Sequence, residues 1–110
     1  MKNKIRYSPE AETDLEQIWD YLLSELASPQ AAEQTITQIL DTVDSLEDFP
    51  KRGTPLSAVT DVESGYRFLL SGPYIVFYRI EKDAIYIDRI LHEKQDFLRI
   101  LFSDLQWWNF

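Results

Sequence analysis

The chain has 110 residues, a formal net charge of −8, 45% hydrophobic and 14% aromatic residues, and no cysteine. That length allows one domain with one core, and the apolar content excludes a disordered chain. The missing cysteines exclude disulfides and thiolate metal sites. No apolar run follows the charged start Met1–Tyr7, so no signal peptide is expected. No stretch approaches the ~20 apolar residues of a membrane span, and a soluble cytoplasmic protein is the expectation.

Ile5, Arg6 and Tyr7 alternate and suggest a first short strand. Ser8-Pro9-Glu10 is a helix start: serine caps, proline suits the first turn, and Glu10 and Glu12 favour the positive end of the dipole. Ala11, Leu15, Ile18, Trp19, Leu22 and Leu26 form one stripe, predicting a helix from Pro9 to about Leu26. Ser28-Pro29 repeats the signal. Ala32, Ile36, Ile39, Leu40, Val43 and Leu46 predict a second helix ending near Asp48, before Phe49 and Pro50. The short link makes the two helices an antiparallel hairpin.

Charge is uneven along the chain. Ser8 to Pro50 holds eleven acidic residues and no Lys or Arg; the rest holds eleven basic and eight acidic ones. The acidic half opposes broad nucleic-acid binding. It reads first as a solvated helix surface, and otherwise as a surface for a basic partner. Pro50-Lys51-Arg52-Gly53 is a basic turn, and Thr54 to Ser64 is expected to be a surface loop with few anchors.

Tyr66 to His92 contains three runs rich in aromatic and β-branched residues, parted by Ser71-Gly72-Pro73 and Lys82-Asp83. This predicts a three-stranded antiparallel meander. If Leu70 opposes Tyr74 and Glu81 opposes Ala84, one face carries Tyr66, Phe68, Leu70, Tyr74, Val76, Tyr78, Ile80, Ile85, Ile87, Arg89 and Leu91. That face would lie against the helices. The other face would mix apolar residues with Arg67, Arg79 and Asp88, as a partly covered binding surface does. Phe97, Leu98, Leu101 and Phe102 suggest a short helix within Glu93–Phe102. The tail 103–110 holds Leu105, Trp107, Trp108 and Phe110, which either dock on the protein's own sheet or bind a partner.

The lone histidine, His92, ends the last predicted strand. A single histidine is more often structural than catalytic. A neutral imidazole there is nonetheless suited to take a proton from a ribose hydroxyl, with Arg67 or Arg79 stabilising the phosphorane. Asp88 and Glu81 are available to pair with those arginines instead. One histidine and no cysteine make no usual zinc site, and the three glycines form no phosphate loop. No nucleophile elbow is present. Glu12, Glu16 and Asp20 read as a solvated face.

Taken together, Tyr7–Tyr21, Ser45–Gly53, Tyr66-Arg67, Tyr74–Arg79 and Arg89–His92 resemble the RelE/ParE superfamily of toxins from bacterial type II toxin-antitoxin modules, closer to the ParE branch. The resemblance runs from about Ile5 to Phe102. It implies an α+β fold: a helical hairpin on one face of a small twisted antiparallel sheet, with a short C-terminal helix. The toxin domain would span 1–102 and the aromatic tail 103–110. It implies a cognate antitoxin as main partner, no cofactor, no metal, and DNA contact only through the antitoxin. Within the superfamily, ParE-like members poison DNA gyrase and RelE-like members cut mRNA on the ribosome. The sheet here lacks the basic cluster of the latter, so a growth-arresting gyrase inhibitor is the first expectation. Its partner-binding residues would be Arg67, Phe77, Arg79, Arg89, His92, Trp107 and Trp108. A ribosome-dependent mRNA endonuclease using Arg67, Arg79 and His92 is the alternative, and an inactive antitoxin-binding relative the third.

Overall fold

A computed structural model describes residues 3–82 and 84–102. Strand β1 (Lys4–Tyr7) leads into helix α1 (Pro9–Leu26). Ser8 makes that junction: its Oγ accepts from the Ala11 amide at 2.9 Å, and its own amide donates to the Ile87 carbonyl at 2.9 Å. The cap therefore starts the helix and fastens it to strand β5 (Ala84–His92), far along the chain. Helix α1 ends at Ala27, which takes a left-handed φ of 49° and donates to the Leu23 carbonyl. Helix α2 (Pro29–Asp44) starts on the Ser28 hydroxyl, which accepts from the Ala31 amide at 3.2 Å. A 3-10 turn over Ser45–Glu47 carries the chain on to the point where the second helix was expected to end.

The sheet is five-stranded, in the order β1-β5-β4-β3-β2. Strands β3 (Tyr66–Ser71), β4 (Tyr74–Glu81) and β5 (Ala84–His92) form the antiparallel meander. Strand β2 (Thr54–Pro55) adds antiparallel to β3. Strand β1 is parallel to β5, Lys4 facing Ala84, so the sheet is mixed rather than wholly antiparallel. The reason lies in connectivity: the helical hairpin and β2–β4 all intervene before β5 returns beside β1, a crossover of the kind parallel strands need.

The helical hairpin covers one face, as the sequence predicts. Ala11, Ile39, Val43 and Leu46 meet Leu69, Val76, Tyr78, Ile85, Ile87 and Ile90 there, all buried. On the other face Ile75, Phe77 and Leu91 are covered by Leu56 and by helix α3 (Phe97–Leu101). Burial of these apolar side chains is the main stabilising term.

Two corrections concern register. Ser71, not Leu70, opposes Tyr74, so the β3 turn closes over Gly72-Pro73 alone. Gly72 takes φ 57°, which suits that two-residue turn. The one-residue shift sends Leu69 to the helix face and Tyr66, Phe68 and Leu70 to the other. The Glu81–Ala84 pairing is as expected, but a bulge follows. Tyr78 opposes Ile87 and Phe77 opposes Arg89, leaving Asp88 without a partner on β4. The bulge flips the rest of β5: Ile90 joins the helix-side core, and Leu91 and Arg89 belong with Ile75 and Phe77. A further correction concerns the loop after β2. A 3-10 turn at Leu56–Ala58 buries Leu56 to 1% exposure, so this stretch has a firm anchor.

Candidate interaction surface

Arg67 and Arg79 occupy neighbouring strands yet point to opposite faces. Arg67 pairs with Tyr78 and Arg79 with Tyr66, and successive residues alternate on the pleat. On the hairpin side, Arg67 Nη1 donates to the Gly53 carbonyl at 2.7 Å and the Lys51 carbonyl at 3.3 Å. Tyr78 stands beside it. Its hydroxyl donates to the Pro50 carbonyl at 2.8 Å and accepts from the Gly53 amide at 2.9 Å. Burial pushes this phenol above its ordinary pKa. Gly53 is required at that point: a Cβ would sit 2.7 Å from Tyr78 Cε1 and 2.8 Å from the Phe68 carbonyl.

Arg79 is held by two carboxylates. Its Nε lies 2.6 Å from Asp88 Oδ2, its Nη1 2.7 Å from Glu81 Oε1, and its guanidinium 5.5 Å from the centroid of the Tyr86 ring. The hydrogen bond to Asp88 raises its pKa above the ordinary arginine value. Tyr66 packs edge-on against Phe102, with centroids 5.8 Å apart. Burial, and then the negative charge of Asp88, push its phenol up to about 12.

Arg89 reaches Asp14 on α1, with Nε–Oδ2 2.8 Å and Nη2–Oδ1 2.9 Å. Asp14 Oδ2 also accepts from the Ile90 amide at 2.9 Å. Strand β1 pairs with β5 only as far as Ile87, so beyond that point the β5 edge has no neighbouring strand among the described residues. The Asp14 carboxylate takes the place of a strand carbonyl there. The hydrogen bond to Asp14 raises the pKa of Arg89.

His92 pairs with Tyr74, about 17 Å along β4 from the level of Arg79. Its ring meets Tyr74 edge-on at 5.4 Å. Its Nδ1 accepts from the Lys94 amide at 3.1 Å. The ring is half-buried. It borders a cleft of about 450 Å³ between α1 and the end of β5, walled by Ile18, Tyr21, Tyr74 and Lys94.

The expected site residues therefore do not converge. Arg67, Arg79 and His92 are divided between two faces and two ends of the sheet, and Arg79 and Arg89 are each matched by carboxylates. Phe77 is 1% exposed and packs on Phe97 with ring centroids 5.3 Å apart, beneath α3. Trp107 and Trp108 lie outside the described residues. Among the described residues no group of His, Cys, Asp or Glu is placed to hold a metal ion, and no helix is long and apolar enough to cross a membrane.

The sequence reading passed over Asp14, Tyr78 and Gly53. Asp14 carried a signal: it falls three residues after Ala11 and four before Ile18, an acid within an apolar stripe. The Tyr78–Gly53 contact spans twenty-five residues and had none.

Residues 5–97 match the family described as the ParE toxin of the type II toxin-antitoxin system parDE. The chain is 31% identical over 97 residues to Toxin ParE1 of Mycobacterium tuberculosis, covering 87% of this chain and 95% of that one. It is likewise 31% identical over 91 residues to Toxin ParE1 of Caulobacter vibrioides, covering 83% and 90%. Its fold superposes on a chain of the chromosomal ParDE toxin-antitoxin system from P. aeruginosa with a TM-score of 0.70, 24% identity and coverage of 83% and 96%. A chain of the RelBE2 toxin-antitoxin complex from Mycobacterium tuberculosis superposes with a TM-score of 0.60 and 20% identity over 84% and 99%.

Proposed function

The chain belongs to the ParE toxin family of type II toxin-antitoxin systems, and on that premise we propose that it arrests bacterial growth by binding DNA gyrase, and is silenced by a cognate antitoxin. It acts in the cytoplasm, needs no cofactor, and works by occupancy rather than by catalysis. One observation carries the choice between mechanisms. The residues that RNA cleavage would need, Arg67, Arg79 and His92, are held apart on two faces of the sheet, and Arg79 is matched by Asp88 and Glu81. General acid-base chemistry needs its groups within hydrogen-bond reach of one reacting centre. The antitoxin partner is supported by the structural relatives, which come from toxin-antitoxin systems.

The test is supercoiling of relaxed plasmid by purified gyrase in the presence of the chain. Inhibition is expected, reversed by pre-mixing with the antitoxin. Undisturbed supercoiling at large molar excess, together with new 5′ ends at codon-phased positions in translated messages, would replace this reading with the ribosomal one.

A further inference from the structure

The turn after the helical hairpin has a fixed backbone and unburied side chains. The Phe49 carbonyl accepts from the Arg52 amide at 3.1 Å, and the Phe49 amide donates to the Ser45 carbonyl at 3.2 Å. The carbonyls of Pro50, Lys51 and Gly53 accept from Tyr78 and Arg67, two side chains rising from β4 and β3. Gly53 is closed in by the Tyr78 ring and the Phe68 carbonyl. Tyr78, fully buried, thus ends on a surface turn and fastens it to the core. Yet Phe49 is 66% exposed, and Lys51 and Arg52 are exposed too, Arg52 donating to the Ser45 hydroxyl at 2.5 Å. A large aromatic left mostly exposed on a tethered loop adds little burial to the fold. It does lower the entropy cost of docking.

We propose that Phe49, Lys51 and Arg52 form a pre-organised prong that contacts the toxin's protein target, Phe49 entering an apolar pocket whose rim is acidic. Aromatic and arginine side chains are the types that dominate binding energy at interfaces. The polarity of the rim follows from charge. Lys51 and Arg52 are the first bases after eleven acids, at the tip of a surface that would repel an anionic partner everywhere else along the hairpin. The same acids, Asp48 beside the prong included, make a phosphate backbone a poor partner and a local protein pocket a good one. The inference deepens the proposed gyrase reading, though the prong is defined by the turn and not by the identity of the target.

The experiment uses Phe49→Ala and the double variant Lys51→Glu with Arg52→Glu, both at exposed positions. Three readouts are taken: growth arrest on induction, affinity for purified gyrase, and thermal midpoint. Each variant is expected to bind gyrase at least tenfold more weakly and to lose growth arrest, with the midpoint unchanged. Tyr78→Phe keeps the ring and removes the buttress; it is expected to weaken gyrase binding while Phe49, Lys51 and Arg52 are intact. If either prong variant folds poorly, the other carries the test. Variants that arrest growth and bind gyrase as the parent does would overturn the prong and leave gyrase as target. A parent that arrests growth without binding gyrase, with arrest lost in both variants, would support the prong and overturn the gyrase reading. A parent that does neither would overturn both. A labelled DNA duplex bound by the parent and released by the double variant, with gyrase affinity indifferent to Phe49→Ala, would assign the prong to nucleic acid and overturn the proposal.

Discussion

Replacing Asp14 with alanine should destabilise the protein more than any substitution on the outer face of the hairpin. The carboxylate is 6% exposed and takes three hydrogen bonds: two from Arg89 and one from the Ile90 amide. Removing it leaves a buried amide at the strand edge unsatisfied, at a cost of roughly 1–3 kcal/mol. The side chain of Arg89 is 27% exposed and recovers part of its hydration, so the loss of its charge-assisted bonds adds about 1–2 kcal/mol rather than the full cost of a stranded charge. The sum, ~2–5 kcal/mol, is a large part of the roughly 5–15 kcal/mol typical of a small domain. Asp14→Asn keeps the shape and one acceptor and should cost about half as much. Urea unfolding followed by tryptophan fluorescence measures both, and a double-mutant cycle with Arg89→Met isolates the pair. A cost below about 1 kcal/mol for Asp14→Ala would refute the reasoning, because the Ile90 amide would then have found another partner or water.

Three further outcomes follow from the same structure. Ala27 pays a left-handed backbone penalty at φ 49°, so Ala27→Gly should raise stability by about 0.5–1 kcal/mol in the same assay. Leu56→Ala, which empties the anchor of the stretch after β2, should cost about 2–4 kcal/mol; a neutral result would mean that this turn is as loose as its sequence suggests. Tyr7 and Tyr66 are both pushed up to about 12, by burial first and then by Asp44 and Asp88 respectively. The folded protein therefore holds these protons more tightly than the unfolded chain. Their contribution to stability is complete below pH ~10 and is lost as pH rises through about 12. Alkaline unfolding should run together with the ultraviolet signal of tyrosinate, and Tyr66→Phe should lessen the dependence.

The helical hairpin was legible because its signals are local. Serine-proline pairs mark both starts, and two stripes at helical period mark the buried faces. The meander was legible from composition and turns. The faces were not, because they depend on register, and register depends on details that alternate every residue. Leu70 and Tyr74 are a plausible pair by pattern; only the two-residue turn at Gly72-Pro73 moves Ser71 into that place. The bulge at Asp88 leaves no mark in an apolar-polar alternation, yet it decides where Arg89 and Leu91 point. The sequence offers Asp88 and Glu81 as acids for the strand arginines, and both pair with Arg79. It gave no hint that Arg89 would be matched by an acid seventy-five residues earlier. The tethering of the Pro50–Gly53 turn was hidden for the same reason: both tethers come from strands read later in the chain.

The parallel pairing of β1 with β5 also bears on the order in which the protein is made. Lys4 to Tyr7 emerge first but find their strand partners only at Ala84 to Ile87, and Ser8 and Asp14 close onto residues 87–90. Among the described strands, the first in the chain thus waits for the fifth. Until then the inward stripe of the hairpin lacks Ile85, Ile87 and Ile90, and part of its apolar face is uncovered. A synthesis product that stops near residue 83 would therefore lack β5, the strand that joins β1 to β4, rather than be a shortened but complete domain.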